Sequence, residues 1–456
     1  MDVAAFDGGH GPELVNRFFD VLTMQKGAAT LLADGLAVAF GMLGGLIILG
    51  FYHPVLLAFD LILLVGLVFI LLVLGRGGTE SAIQESIAKY DVAAWIEEMV
   101  RHPTTFKMAG GPTFAGQTEL GLTRRYLQHR KTHFKVVFRE HIGALALAVF
   151  ALTALLGIGG LLVINRQLTL GQLVAAELIV AGVASSFEKL GKVMETYFDL
   201  VAGADKLGHL VDLPLERTEG EALPAYDQGV RVQLRDVKYE YENGTKALDG
   251  VNLEIYPRAR VAIVGGNGAG KSTLVDILYG LREPTGGAVD INGVDLRDLG
   301  KDTLRNQVAV VKGTEIFAGT IEDNVKVGRP FVSHADVRAA LEKVGLWESI
   351  AAMKDGLRTV IQTGGRPLSE GQARRLNFAR AMAGKPKLLV IDEPLESLDD
   401  NDRRAIVYAL VDPKASWSLV FTQRPREVLK FCERVYVMRH GKLHPAEGWD
   451  GTEDEA

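Results

Sequence analysis

Nine consecutive residues set the strongest limit on what this chain can become: Gly265-Gly266-Asn267-Gly268-Ala269-Gly270-Lys271-Ser272-Thr273. They fit the P-loop pattern G-x-x-x-x-G-K-[ST] and stand between the apolar run Val261 to Val264 and a stretch where Leu274, Ile277, Leu278 and Leu281 recur. That three- and four-residue spacing marks one buried helix face. The local order is therefore strand, glycine-rich turn, helix, which is the context that gives the motif its meaning. Glycines let backbone N–H groups converge on phosphate oxygens with no Cβ in the way. The positive end of the helix adds to the attraction for an anion. Lys271 is placed to reach the β- and γ-phosphates of a nucleotide, and the Ser272 hydroxyl to ligate Mg²⁺. The motif predicts a nucleotide site.

At 456 residues the chain is long enough for more than one domain. Its apolar residues crowd into the first half, in the runs Thr30–Tyr52, Pro54–Leu74, Ile142–Ile164 and Leu168–Ala184. The first three exceed the roughly 20 residues needed to cross a bilayer; the fourth is shorter and carries Glu177. Very short turns join the runs within each pair, so each pair predicts a tight hairpin. Ten Lys and Arg lie between the pairs, from Arg76 to Arg139, whereas the two short turns carry only Arg166. Basic loops stay on the cytoplasmic side. That places segment 76–141, both chain ends and the P-loop in the cytoplasm, with the spans in lipid as a multi-pass protein of the inner membrane. The N-terminal MDVAAFDGGHGPEL is acidic and not apolar, so it is no signal peptide.

Segment 77–140 alternates polar and apolar residues at helical spacing, with a break near Gly110-Gly111-Pro112. It predicts two long helices; at about 1.5 Å per residue, thirty-odd residues would project roughly 45 Å as a stalk. His129 and His133 are an i, i+4 pair without an acidic companion, which favours a solvated basic face over a metal site. Asp60 and Glu177 lie inside apolar runs, where an acid either contacts substrate or ion or makes an interhelical hydrogen bond. The net charge of −6 argues against a nucleic-acid partner, and the single Cys432 excludes an internal disulfide or a cysteine-based metal cluster. Ordinary packing is its expected role. After Val211, a polar linker over 213–229 leads to short strands and helices over 230–446, an α/β domain, and then to an acidic tail over 447–456.

Two further motifs complete the pattern. Leu388-Leu389-Val390-Ile391-Asp392-Glu393 reads as a buried strand ending in two acids, Asp392 to hold Mg²⁺ and Glu393 to polarise the attacking water. Twenty residues upstream stand Leu368-Ser369-Glu370-Gly371-Gln372 and the helical run Ala373–Met382. In this order the motifs resemble the ATP-binding cassette (ABC) family, LSEGQ being a one-residue variant of its LSGGQ signature. The resemblance makes Tyr241 the aromatic that stacks on adenine and Asp399 the D-loop aspartate, though Glu396 replaces the usual small residue there. Ile316 to Ile321 is similar to the segment after the Q-loop in exporters, and Leu168-Thr169-Leu170-Gly171 to the entry of their last span.

The resemblance implies an exporter-type, multi-domain chain: an all-α transmembrane bundle over 30–212 with spans at about 30–52, 54–75, 142–164 and 168–187, then the α/β P-loop NTPase domain. It also implies a second ABC subunit, with each ATP held between one P-loop and the partner's LSEGQ. Exporters of this type have six spans; residues 1–29 resemble their first intracellular loop, so the chain is expected to lack counterparts of the first two spans. Three positions depart from the family. Lys312 stands at the Q-loop glutamine, Gln423 at the switch histidine and Thr363 at the acid before the signature. Lys312 can contact a phosphate but cannot ligate Mg²⁺. Gln423 can donate a hydrogen bond but cannot take up a proton and become charged. Losing one positioned donor costs about 10²–10³ in turnover. With Glu393 and the signature kept, slow ATP hydrolysis driving transport of an unknown substrate is expected; the alternatives are a degenerate ATP-binding regulatory subunit of a heteromeric transporter or a truncated remnant.

Overall fold

The computed structural model describes residues 2–7, 18–224, 229–362, 364–392, 395, 398–422 and 426–446. Contacts divide the chain into two units, essentially Ala5–Pro214 and Leu215–Ala456.

The apolar runs of the first unit become parts of four long helices: α1 (Asp20–Gly50), α2 (Pro54–Arg101), α3 (Gly111–Ile164) and α4 (Leu170–Val211). Each is long and apolar enough to cross a membrane. A helix is the economical answer for such a run, because it satisfies every backbone polar group within the segment. Local chemistry fixes where α2 and α4 begin. Pro54 opens α2 with its φ already helical, and the His53 ring accepts the Val55 N–H at 3.2 Å. Thr169 and Gln172 exchange side-chain and backbone hydrogen bonds as a capping box before α4.

Inside the bundle, Leu49, Leu56, Leu63, Ala151, Leu155, Val180 and Phe187 are fully buried. Outside, Phe40, Leu43, Ile47, Leu61, Val65 and Leu156 are exposed, a broad apolar surface that water penalises and lipid does not. Helices approach closely where a side chain is missing: a Cβ on Gly45 would lie 2.4 Å from Val183, and one on Gly159 2.4 Å from Leu173. Asp60 is 6% exposed, and among the described residues neither carboxylate oxygen has a hydrogen-bond partner. The interhelical hydrogen bond that would satisfy it is therefore not made there.

The expected solvated face for His129 and His133 needs correction. His133 is buried at 5% exposure, its Nδ1 is 3.0 Å from Ser81 Oγ, and its ring is edge-on to Phe198. The reason is periodic. His133, Val136, Glu140, Ala144, Ala148 and Ala151 form one buried stripe of α3, and the histidine simply extends it downward.

In the second unit the strands are β1 (Val232–Glu240), β2 (Lys246–Ile255), β3 (Arg260–Gly265), β4 (Gly286–Ile291), β5 (Val294–Asp295), β6 (Val308–Val311), β7 (Gly319–Thr320), β8 (Val360–Ile361), β9 (Leu388–Ile391), β10 (Ser418–Phe421), β11 (Arg434–Arg439) and β12 (Lys442–Pro445). They form an antiparallel sheet β2-β1-β4-β5, a larger sheet β12-β11-β3-β10-β9-β6 and the small pair β7-β8. In the larger sheet β11, β3, β10, β9 and β6 are mutually parallel, and only β12 runs the other way.

Both faces of that sheet are buried, which is why β9 reads as an unbroken apolar run. Side chains alternate between two cores. Leu388, Val390 and Val420 join the P-loop helix α5 (Lys271–Leu278) in one; Leu389, Ile391, Leu419 and Phe421 join helix α6 (Glu370–Ala383) and helix α7 (Asp400–Leu410) in the other. Each such side chain contributes about 1.5–3 kcal/mol on burial.

Cys432 packs against this second core, and burial pushes its thiol up to about 12. At pH 8 the thiolate is then about one part in 10⁴, and the thiolate is the reactive form. Native protein is expected to resist a maleimide at pH 8 and to react stoichiometrically once denatured; fast labelling of the native protein, followed by mass spectrometry, would contradict the packing.

Candidate functional site

Four parallel strands bring the site together at their carboxyl ends. Ala262 of β3, Phe421 of β10, Ile391 of β9 and Val311 of β6 stand side by side in register. One residue further on, the same row holds Thr422, Asp392 and Lys312, and the P-loop leaves β3 just beyond, at Gly265. Neighbouring strands are about 4.8 Å apart, so these groups share one crevice. The crevice outside the carboxyl ends of a parallel sheet is where such folds bind ligands.

The P-loop has the backbone its glycines permit. Gly268 and Gly270 have φ of 77° and 107°, and a Cβ on Gly270 would meet Ala247 O at 2.3 Å. Gly266, Asn267 and Gly268 are exposed while Ala269 is buried, so the loop faces outward and is anchored through its alanine. Lys271 Nζ donates to Gly265 O at 2.9 Å and Gly266 O at 2.8 Å, which folds the ammonium over the loop. The Ser272 hydroxyl is exposed; Thr273 is buried and its Oγ1 is 2.9 Å from Tyr241 OH.

Beside the loop, the Thr422 hydroxyl donates to Asp392 Oδ1, fixing that carboxylate at the end of β9. Lys312 Nζ pairs with Asp276 Oδ1 of α5 at 2.7 Å. Asp276 also accepts from Arg282 Nε at 3.3 Å; Arg282 donates to Tyr239 OH at 3.0 Å and lies 4.9 Å from the centre of the Tyr241 ring. The structure thus gathers Tyr241, Gly265 to Thr273, Lys312 and Asp392. Glu393, Gln423 and Thr363 lie outside the described residues.

The signature segment is built elsewhere in the domain. Leu368 belongs to the second core, whereas Ala269 belongs to the first. Ser369 is the N-cap of α6: its hydroxyl accepts the Gln372 N–H at 3.2 Å while the Gln372 side chain accepts the Ser369 N–H at 2.9 Å. Glu370 is 78% exposed and pairs with Arg374 at 2.7 Å one turn on; Gly371 follows it in the first turn. Asn377 of the same helix donates to Gly313 O at 2.8 Å, tying α6 to the residue after Lys312.

Asp399 caps α7 by accepting the Asp402 N–H at 2.8 Å, and that N–H holds its carboxyl below the usual range. Burial pushes the Asp402 carboxyl up, opposed by Arg375 of α6, which pairs with it at 2.7 Å. Sequence reasoning missed Asp276, Arg282, Arg375, Asn377 and Thr422. Only Asp276 left a trace, as an acid within the apolar run Leu274 to Leu278.

A P-loop α/β domain of this plan, with its signature helix in a second core and a long apolar helical unit before it, defines a chain that fuses a membrane part to a nucleotide-binding part. Residues 248–396 match the family model described as "ABC transporter", and the chain belongs to the ABC transporter family. It is 31% identical over 329 residues to the ATP-dependent lipid A-core flippase of Neisseria meningitidis serogroup A, covering 72% of this chain and 52% of that protein. The match thus spans about half the length of that relative. It is 26% identical over 450 residues to the mycobactin import ATP-binding/permease protein of Mycolicibacterium thermoresistibile, covering 98% of this chain and 74% of that one. The fold matches the structure of a bacterial Atm1-family ABC exporter with ATP bound at a TM-score of 0.83 and 19% identity, over 95% of this chain and 76% of the other.

The cap of the signature helix can be tested by itself. Ser369→Ala removes the side-chain acceptor, costing about 1 kcal/mol, which lowers the melting midpoint of a domain this size by about 2–4 °C. Ser369→Asp is expected to restore the midpoint in a thermal-shift assay.

Proposed function

We propose that this chain is a subunit of an ATP-driven membrane transporter, with its nucleotide domain in the cytoplasm and its apolar helices in the inner membrane. The observation that carries the proposal is the row of Lys312, Asp392 and Thr422 beside the P-loop, at the ends of four parallel strands. Exposed loop N–H groups and Lys271 would receive the phosphates, and Tyr241 the adenine.

The donor set suits Mg²⁺. The exposed Ser272 hydroxyl and the oriented Asp392 carboxylate are hard oxygen donors, and Mg²⁺ is held by few protein oxygens beside substrate phosphates and waters. When bound, the ion neutralises charge between the β- and γ-phosphates. Glu393, next in sequence after Asp392, would orient and deprotonate the attacking water. Gln423 and Lys312 would supply hydrogen bonds to the phosphates where the family has histidine and glutamine.

A second subunit placed head to tail would bring its LSEGQ and Asp399 to this chain's P-loop, a reading supported by the packing of the chain's own P-loop and signature helices in separate cores. ATP would then bind the closed pair more tightly than the open one, the differential affinity that any such switch needs. The helical stalks would carry the movement to the spans. One relative is named for a flippase and another for import, so the proposal stops at transport of a substrate across the membrane, without a direction.

A second reading, an ATP-binding regulatory subunit in a heteromeric transporter, is favoured by Lys312, which a carboxylate already engages. Detergent-solubilised protein is expected to turn over ATP slowly, with Glu393→Gln abolishing turnover and preserving binding. Binding without turnover in both forms would overturn the motor reading and leave the regulatory one.

The Thr422–Asp392 hydrogen bond yields a separate expectation. Partners of a metal ligand typically contribute about 10–100-fold to metal affinity, so Thr422→Val should weaken Mg²⁺-dependent ATP binding by about tenfold while leaving binding in EDTA unchanged. An equal loss under both conditions would remove Asp392 from the metal site.

A further inference from the structure

Asp276 occupies the buried face of α5, one helical turn beyond Ser272, and its two oxygens have different partners. Oδ1 faces Lys312 Nζ at 2.7 Å and Oδ2 faces Arg282 Nε at 3.3 Å. Side-chain exposure is 8% for Asp276 and 7% for Arg282, but 43% for Lys312. The acid and the guanidinium are thus locked in the interior while the ammonium stands at the rim of the crevice. A buried carboxylate left alone is costly; here it is shared by two cations that reach in opposite directions.

Arg282 continues the chain of contacts. Besides Asp276 it holds Tyr239 OH and lies over Tyr241, whose own hydroxyl meets Thr273 on the same helix as Asp276. A ring has two faces, and a base stacks only on the one the guanidinium leaves. On the other side, Lys312 immediately follows β6 and precedes Gly313, whose carbonyl is tied to the signature helix through Asn377.

Resting on the reading of this crevice as an ATP site, we propose that Asp276 is a positioning residue that couples recognition of the base at Tyr241 to recognition of the phosphates at Lys312. A triphosphate on the P-loop competes with Asp276 for the Lys312 ammonium. Drawing Lys312 away leaves the whole carboxylate charge to Arg282, which strengthens that charge-assisted hydrogen bond and resets the guanidinium over Tyr241. A ligand that carries both an adenine and a γ-phosphate therefore gains more than the sum of the two contacts. Lys312, in place of glutamine, turns an uncharged contact into one end of a charge relay.

The test is a double-mutant cycle on ATP affinity, measured by calorimetry on the full-length protein. Tyr241→Ala, Lys312→Ala and the pair are made in the native background and again with Asp276→Asn. In the native background the losses are expected to depart from a simple product by about threefold or more, the scale for contacting residues; with Asp276→Asn they multiply. Asp276→Glu is expected to keep the coupling. Should Asp276→Asn fail to fold, Arg282→Lys serves instead, keeping the charge but not the planar fork, and is expected to bring the cycle to a product.

Losses that multiply in the native background overturn the relay, and so does coupling that survives the Asp276 and Arg282 changes. Absence of ATP binding by the native protein overturns the site and the relay together, whereas binding with multiplying losses overturns the relay alone.

Discussion

The parallel register of β3, β10, β9 and β6 is the constraint on which the rest of the nucleotide domain depends. Because the four strands run the same way and Ala262, Phe421, Ile391 and Val311 share a row, the residues that follow them share an edge. A one-residue slip of β9 would turn Asp392 from that edge and exchange its core-facing side chains with the opposite core. Such a slip is strongly disfavoured, since all four residues of β9 are buried and the two cores take alternate ones. The apolar packing of the strand thus positions an acid that takes no part in the packing.

The same sheet separates two functions. The P-loop helix is fastened to one core and the signature helix to the other, yet Asn377 to Gly313 and Arg375 to Asp402 link α6 to the strand end beside Lys312 and to α7. The two cores are not separate bodies, since β9 and β10 send alternate side chains into each, so the sheet itself carries a displacement of one helix layer to the other. The membrane unit follows a different logic. Its outward face is apolar along α1 to α3, and its interior relies on small residues such as Gly45 and Gly159, as expected where lipid gives no hydrophobic drive for helix association.

What could be read from the sequence followed from the strength of local rules. The P-loop, the strand before Asp392, the helical run after the LSEGQ segment and the four apolar helices each obey a pattern confined to a few neighbouring residues. His133 was misplaced because its missing metal partners were weighed and its place in the buried stripe of α3, three residues before Val136, was not. Arg282 and Thr422 carried no signal at all: an arginine after a helix and a threonine after a strand are ordinary, and their roles arise from Asp276, six residues back across a helix end, and Asp392, thirty residues back on the neighbouring strand. Such pairing of polar groups has no period to read.

Lys312 shows how far a single departure from a family pattern can mislead when read alone. In the sequence it is a cation where an amide is usual, and so a weakened contact to Mg²⁺. In the structure it has a carboxylate within 2.7 Å, on the helix that begins with Lys271, and that carboxylate is buried against a second cation. The buried Asp276 carboxylate is already paired through Oδ2 with Arg282, and Lys312 meets the oxygen that Arg282 leaves. The pair keeps one net positive charge behind the phosphate crevice once Arg282 is counted, which favours binding of an anion even where hydrolysis is slow. The departure is therefore a rearrangement of charge around the P-loop helix and not simply the loss of a ligand.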